Sequence, residues 1–258
     1  MKDMTQGNPV KEVLLFSVPM ILASVFQQMY NAVDSIIVGQ FVGANALAAV
    51  GAAFPAMFLA MSVLIGITMG VQIIISQLFG AGEHERMRAT FATSIISLMI
   101  LVVIASVIGY FASGTILELM NTPPEIIADS KAYLDEIFKG LIFMFLYNLY
   151  TSVLRGVGDS KTPLYFLIIS SILNIVLDLV YVIQFGMGVR GVAVATVQSQ
   201  AVSVILCIIY TNIRIPLFRL GLKDLRVDFG ILRTVLRFGI PTAIQQSISA
   251  IGSMLVQG

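Results

Sequence analysis

The chain has 258 residues, of which 58% are hydrophobic and 11% charged, with a formal net charge of +1. A water-soluble domain carries about a quarter charged residues to keep its surface hydrated; this chain falls so far short that most of its surface must meet lipid. Near-neutral charge leaves no electrostatic footprint for nucleic acid and implies no acidic partner. Cys207 is the only cysteine and His84 the only histidine, which excludes a disulfide framework and a histidine-built metal site or charge relay.

The opening MKDMTQGNPVKE lacks the short apolar core and small-residue cleavage site of a signal peptide. A bilayer core of roughly 30 Å needs about 20 helical residues. Runs of that size with few or no charges lie at about 13–38, 46–79, 90–117, 133–154, 163–184 and 191–213, and a seventh opens near 238 and reaches Gly258. Their length and continuous apolarity predict helices rather than barrel strands, which would alternate over about ten residues. The fold class is therefore all-α and polytopic. Between the third and fourth runs, Thr122-Pro123-Pro124-Glu125 reads as a helix start, with Thr122 as cap and Glu125 completing a capping box. The stretch 214–237 reads as a basic, partly amphipathic connector lying against anionic headgroups.

Lysine and arginine set the orientation. With the N-terminus in the cytoplasm, the inside holds Lys2, Lys11, Arg86, Arg88, Arg155, Lys161, Arg214, Arg219, Lys223, Arg226, Arg233 and Arg237, and the outside holds Lys131, Lys139 and Arg190. Twelve against three is a strong positive-inside bias. There is also an internal echo: Phe16-Ser17-Val18-Pro19 in the first run is answered by Phe238-Gly239-Ile240-Pro241 in the seventh, each followed by paired glutamines (Gln27-Gln28, Gln245-Gln246) that do not fall in register. Six spans followed by a restart of the first fit a two-repeat transporter whose second repeat has barely begun.

An ionisable residue inside a span is a functional candidate by default, because burying its charge costs several kcal/mol. Asp34 and Asp178 are two such residues. Asn174 and Asp178 are four apart and share a helix face, with Ser170 or Ser171 one turn earlier. Counting about 1.5 Å per residue, Asp34, Asp178 and Thr196 each lie roughly 8–9 Å below the outer boundary, so three helices deliver polar groups to one level. The competing reading is that these groups hydrogen-bond neighbouring helices. Aspartate has a short stem and snorkels poorly, and for Thr196 taken alone helix glue is the simpler account.

These residues belong to a wider pattern: Phe16-Ser17-Val18-Pro19, Val33-Asp34-Ser35 leading to Val38-Gly39, Gln77-Leu78-Phe79-Gly80-Ala81-Gly82, Arg155-Gly156-Val157-Gly158-Asp159-Ser160-Lys161-Thr162-Pro163, Asn174 with Asp178, and Gly191-Val192-Ala193-Val194-Ala195-Thr196. In order and spacing the chain resembles, over essentially all its length, the N-terminal half of a bacterial multidrug and toxic compound extrusion (MATE) transporter. The resemblance implies a twelve-helix fold in two six-helix lobes around a cleft that opens alternately to either side. It implies export of small organic, often cationic, compounds in exchange for H⁺ or Na⁺, from the bacterial cytoplasmic membrane and with no other cofactor. It divides the chain into a six-helix lobe at 1–213, a cytoplasmic connector at 214–237 and the opening helix of a second lobe at 238–258. Asp34 matches the family's first-helix acid, Asn174 and Asp178 its fifth-helix pair, and Thr196 a sixth-helix hydroxyl of the cation site. Tyr30, one turn before Asp34, is expected beside the substrate cavity. A missing second lobe or a partner chain is needed to complete the cleft. Two nearby acids in low dielectric resist double ionisation and titrate as a unit, and hard cations take carboxylate, amide and hydroxyl oxygens.

Other motifs carry less. Gly156-Val157-Gly158-Asp159-Ser160-Lys161-Thr162 lacks the glycine that a phosphate loop places before its lysine and reads as a tight cytoplasmic turn. Glu83-His84-Glu85-Arg86 reads as a solvated loop, and Gly66 with Gly70 as a close packing site within the bundle. No nucleophile–base pair argues for an enzyme. The alternatives are a flippase for lipid-linked saccharides, which would line its cavity with cations for phosphate rather than with acids, and a non-transporting scaffold. The orientation has a direct check: a fluorescent protein fused to the N-terminus should fold and fluoresce, and alkaline phosphatase inserted after Asn121 should be active. The reverse pattern would invert the topology.

Overall fold

The computed structural model describes residues 9–221 and 226–257. Seven helices follow one another: α1 (Pro9–Ile37), α2 (Ala44–Gly80), α3 (His84–Leu119), α4 (Pro124–Gly156), α5 (Lys161–Leu179), α6 (Gly188–Arg214) and α7 (Phe229–Gln257). α1 and α5 each end in a π turn, Val38–Val42 and Val180–Gln184. Among the described residues five helices, α2 to α6, are long and apolar enough to cross a bilayer. α1 has the length as well, and its second half carries the polar residues Gln27, Gln28, Asn31 and Asp34. The all-α, polytopic fold is present, and an exposed belt of Ile21, Ile104, Ile108, Ile172 and Ile205 suits contact with lipid.

α4 is the axis of the bundle, packing against α2, α3 and α6. Leu134, Ile137, Leu141, Phe145, Leu149 and Val153 recur along it at helical spacing, and all are buried. α5 pairs with α6, and α1 leans on α5. That last contact rests on a small separate cluster, Ala23 with Leu164 and Leu167, outside the main core.

Several sequence expectations are corrected here. The helices run beyond their apolar windows, since α3 already begins at His84, which places the Glu83–Arg86 segment at a helix start with an Arg86–Glu83 ion pair of 2.7 Å. At the start of α4 the cap position belongs to Pro123, whose extended backbone carbonyl accepts from Ile126 and Ile127, and Thr122 makes no capping bond. α7 begins at Phe229 rather than at 238, because the Asp228 carboxylate accepts the backbone N–H groups of Gly230 and Ile231 at 2.8 and 3.1 Å. The connector does not simply lie on headgroups. Phe218 is buried against Phe91 with ring centroids 4.9 Å apart, and Arg88 donates to the Arg219 carbonyl at 2.8 Å. Lys2, Lys223 and Gly258 lie outside the described residues.

Gly66 and Gly70 pack within the chain, against α7. A Cβ added at Gly66 would stand 2.2 Å from the Ala243 Cα, and one at Gly70 would stand 2.7 Å from the Gly239 nitrogen and the Val235 carbonyl oxygen. Small residues on both helices thus bring the backbones together, and Ser62 and Ser247 share a hydroxyl hydrogen bond of 2.7 Å at the end of the seam. In a Cys207→Ser background, Ser62→Cys with Ser247→Cys should cross-link on mild oxidation. Adding Gly70→Leu should reduce the cross-linked fraction severalfold; unchanged cross-linking would show that the seam does not depend on the small residue.

Candidate functional site

The residues singled out in the sequence converge. Asp34 comes from the last turns of α1, Asn174 and Asp178 from the buried face of α5, and Thr196 from α6. Asp34 lies eight residues before the end of its π turn at Val42, Asp178 six before Gln184, and Thr196 eight after Gly188. All three therefore sit about 9–12 Å from the same end of the bundle, Asp34 deeper than the sequence estimate because the π turn carries α1 on to Val42 and Thr196 deeper because α6 already begins at Gly188.

Asn174 is the hub. Both carboxylates can only accept, so the amide satisfies them with its nitrogen turned their way. Nδ2 then donates to Asp34 Oδ1 at 2.9 Å and to Asp178 Oδ2 at 3.1 Å, and the amide oxygen accepts from the Thr196 backbone N–H at 3.2 Å. Asn174 and Asp178 are fully buried. The Tyr30 hydroxyl lies 3.4 Å from Thr196 Oγ1, which joins α1 to α6 across the site. Tyr30 is thus part of the polar cluster itself.

One atom breaks the pattern of satisfied groups: Asp178 Oδ1 is buried and meets no hydrogen-bond donor among the described residues. A buried carboxylate oxygen without a partner is costly and calls for an explanation, such as a proton, an ion or a water. The donor set suits a hard cation or a proton, being carboxylate, amide and hydroxyl oxygens without histidine or thiol. Among the described residues no group of three or more His, Cys, Asp and Glu side chains could hold a metal, so such an ion would also draw on neutral oxygens.

Tyr133 of α4 is the residue that sequence reasoning missed. It is 7% exposed, its hydroxyl reaches only Met57 Sδ at 3.9 Å, and it is near enough to feel the charge of both acids. A buried tyrosine ordinarily finds a better partner than a thioether. Its own segment, Lys131 to Lys139, is charged enough to read as the end of a span, and nothing in it marks Tyr133 as buried.

Fold and site together define a multi-pass helical membrane protein with an acid-containing polar centre inside its bundle. The family profile described as MatE matches residues 19–180. The chain is 36% identical over 253 residues to the probable multidrug resistance protein YoeA of Bacillus subtilis, covering 95% of this chain and 55% of that protein. It is 28% identical over 251 residues to the probable multidrug resistance protein NorM of Thermotoga maritima, covering 95% and 53%. A solved outward-facing multidrug resistance MATE family transporter superposes with a TM-score of 0.90 at 27% identity, over 98% of this chain and 57% of that one. An inward-facing MATE structure gives 0.80 at 28% identity, over 87% and 51%. The chain belongs to the MATE family, whose members are transporters rather than enzymes. It spans about half the length of the curated relatives it matches.

Replacing Asp178 by asparagine removes a buried carboxylate whose Oδ1 has no partner. Membrane insertion should be unchanged and the unfolding midpoint in detergent equal to or higher than that of the parent, since removing a poorly paired buried charge is often neutral or stabilising. A loss beyond about 2 kcal/mol would instead make the acid a structural brace.

Proposed function

We propose that the chain forms the ion-coupled lobe of a secondary antiporter that exports small organic, often cationic, compounds from the bacterial cytoplasm in exchange for H⁺ or Na⁺. The observation that carries this reading is the buried pair Asp34 and Asp178 held by Asn174, with one carboxylate oxygen left over. The names of YoeA and NorM as multidrug resistance proteins support the substrate class. The acidic character of the centre favours this reading over a lipid-linked saccharide flippase, which needs cations for phosphate.

With Asn174 Nδ2 toward the acids, the amide bridges the two carboxylates and leaves Asp178 Oδ1 as an open acceptor. A proton or Na⁺ arriving from outside is taken up at that oxygen, and unloading leaves the two acids to the amide alone. Because α1 supplies only Asp34 and Tyr30, a change of partners at the centre is a change in how α1 sits on the α5–α6 pair. Coupling to export requires that the two lobe conformations bind the ion with different affinity. Substrate taken up from the cytoplasm favours the unloaded lobe, and ion entry from outside favours release. A second lobe, or a partner chain, supplies the other wall of the cleft.

Asp34→Asn should lower gradient-driven dye efflux from proteoliposomes by at least about tenfold, with the protein still inserted at the parent level, since an intramembrane acid is a functional group by default. Imposing sodium and proton gradients separately identifies the ion. Full efflux by the Asp34→Asn variant under both gradients refutes the assignment.

A further inference from the structure

The turn Arg155–Pro163 has no part in the centre just described, yet its side chains are deployed with purpose. Gly158 has φ +82°, a conformation that glycine adopts freely, and it turns the chain back so that Asp159 stands ahead of α5. One Asp159 oxygen accepts the Thr162 backbone N–H at 3.0 Å, and the other accepts the Thr162 hydroxyl at 2.7 Å. That second oxygen also accepts the Tyr210 hydroxyl of α6 at 3.1 Å. The Tyr210 ring in turn stands edge-on to Phe166 of α5, centroids 5.8 Å apart. At the other end of the same helix pair the Tyr181 hydroxyl donates to Gln198 Oε1 at 2.6 Å. α5 and α6 are thus tied at two places, beside the turn through Asp159 and Tyr210 and close to the Asn174–Thr196 contact through Tyr181 and Gln198.

We propose that Asp159 and Tyr210 are positioning residues for the ion centre. By fixing the axial register of α5 against α6, they hold Asn174 and Asp178 level with Thr196, although Asp159 lies about 20 Å along α5 from Asn174 at about 1.5 Å per residue. The inference rests on the antiport reading above and extends it to the far end of the helix pair. Helix packing explains why a contact so remote has leverage. The buried serines of the pair, Ser170 and Ser171 on α5 and Ser199 and Ser203 on α6, each turn their hydroxyl onto their own helix, so none of these bonds ties the two helices together. The register then depends on the side-chain ties that do cross, and a slip of a fraction of an ångström spoils an ion site built from oxygens on two helices.

Tyr210→Phe is the discriminating variant, because it keeps the Asp159 charge, the cap on α5 and the ring packed on Phe166 and removes only the hydroxyl. A cavity of about 340 Å³ lined by Asp159, Tyr210, Arg214 and Ile215 lets water compete for the bond, so the expected effect is modest. With the complete gene product in proteoliposomes, the half-saturating concentration of the driving ion, Na⁺ or H⁺, should rise roughly three- to tenfold. The half-saturating dye concentration at saturating ion should stay within about twofold, since an interaction confined to the ion step leaves the other binding step alone. No change in either constant overturns the proposal. So does an equal shift in both, or loss of the protein from the membrane, either of which would make the contact a general brace of the fold. The Asp34→Asn variant run alongside separates the two ideas. Normal efflux there defeats the antiport assignment, whereas abolished efflux with an unaltered Tyr210→Phe defeats only the register proposal.

Discussion

Everything distinctive in this lobe follows from burying two carboxylates in one helix bundle. A charged group in low dielectric costs several kcal/mol unless its field is answered locally, and the answer here is a single amide. Asn174 divides its two N–H groups between Asp34 and Asp178 and turns its oxygen to the Thr196 backbone. This arrangement fixes which helices must be neighbours. α1 must bring Asp34 to α5, and α6 must present Thr196 to the same point, so the α1–α5–α6 side of the bundle is defined by polar geometry. The α2–α3–α4 side is defined by ordinary packing of leucine, isoleucine and phenylalanine along α4.

The two sides also differ in how firmly they are held. α4 is wedged between α2, α3 and α6, and α2 is bound to α7 along a glycine seam that admits no added Cβ. α1, by contrast, leans on α5 through a small apolar cluster around Ala23, Leu164 and Leu167 and through the polar centre, and it enters the main core only near its end, at Val33 and Ile37. In the proposed cycle this imbalance matters. The energy that an ion can spend on a conformational change is limited to its differential affinity for the two states. A helix held in part by the polar centre is one that so limited an energy can shift more readily than the α2–α4 core.

Much of this was legible in the sequence because lipid simplifies the code. Apolar run length announces helices directly, and a carboxylate inside such a run announces a site, so Asp34, Asn174, Asp178 and Thr196 stood out and do meet in space. Helix ends were harder. Outside the hydrocarbon the apolar signal stops while the helix continues, which is why α3, α4 and α7 begin ahead of their hydrophobic windows, and why the cap of α7 at Asp228 was absorbed into a connector. Pairing between helices was illegible for a different reason. Nothing in the local pattern around Tyr133 says that its hydroxyl is buried against Met57 of α2, or that Phe218 folds back onto Phe91.

The turn after α4 shows how a motif can be read rightly and still undervalued. Its glycines and proline identify a tight turn, and the turn is there. The aspartate inside it is given no role by the turn alone, because its partners, Thr162 ahead and Tyr210 about fifty residues on, are joined only by the fold. An aspartate that caps one helix with one oxygen has a second oxygen to give, and in a bundle that oxygen meets whatever helix lies alongside. Local capping chemistry therefore becomes tertiary register at no further cost in burial. The helix it meets here is α6, the one that presents Thr196 to Asn174.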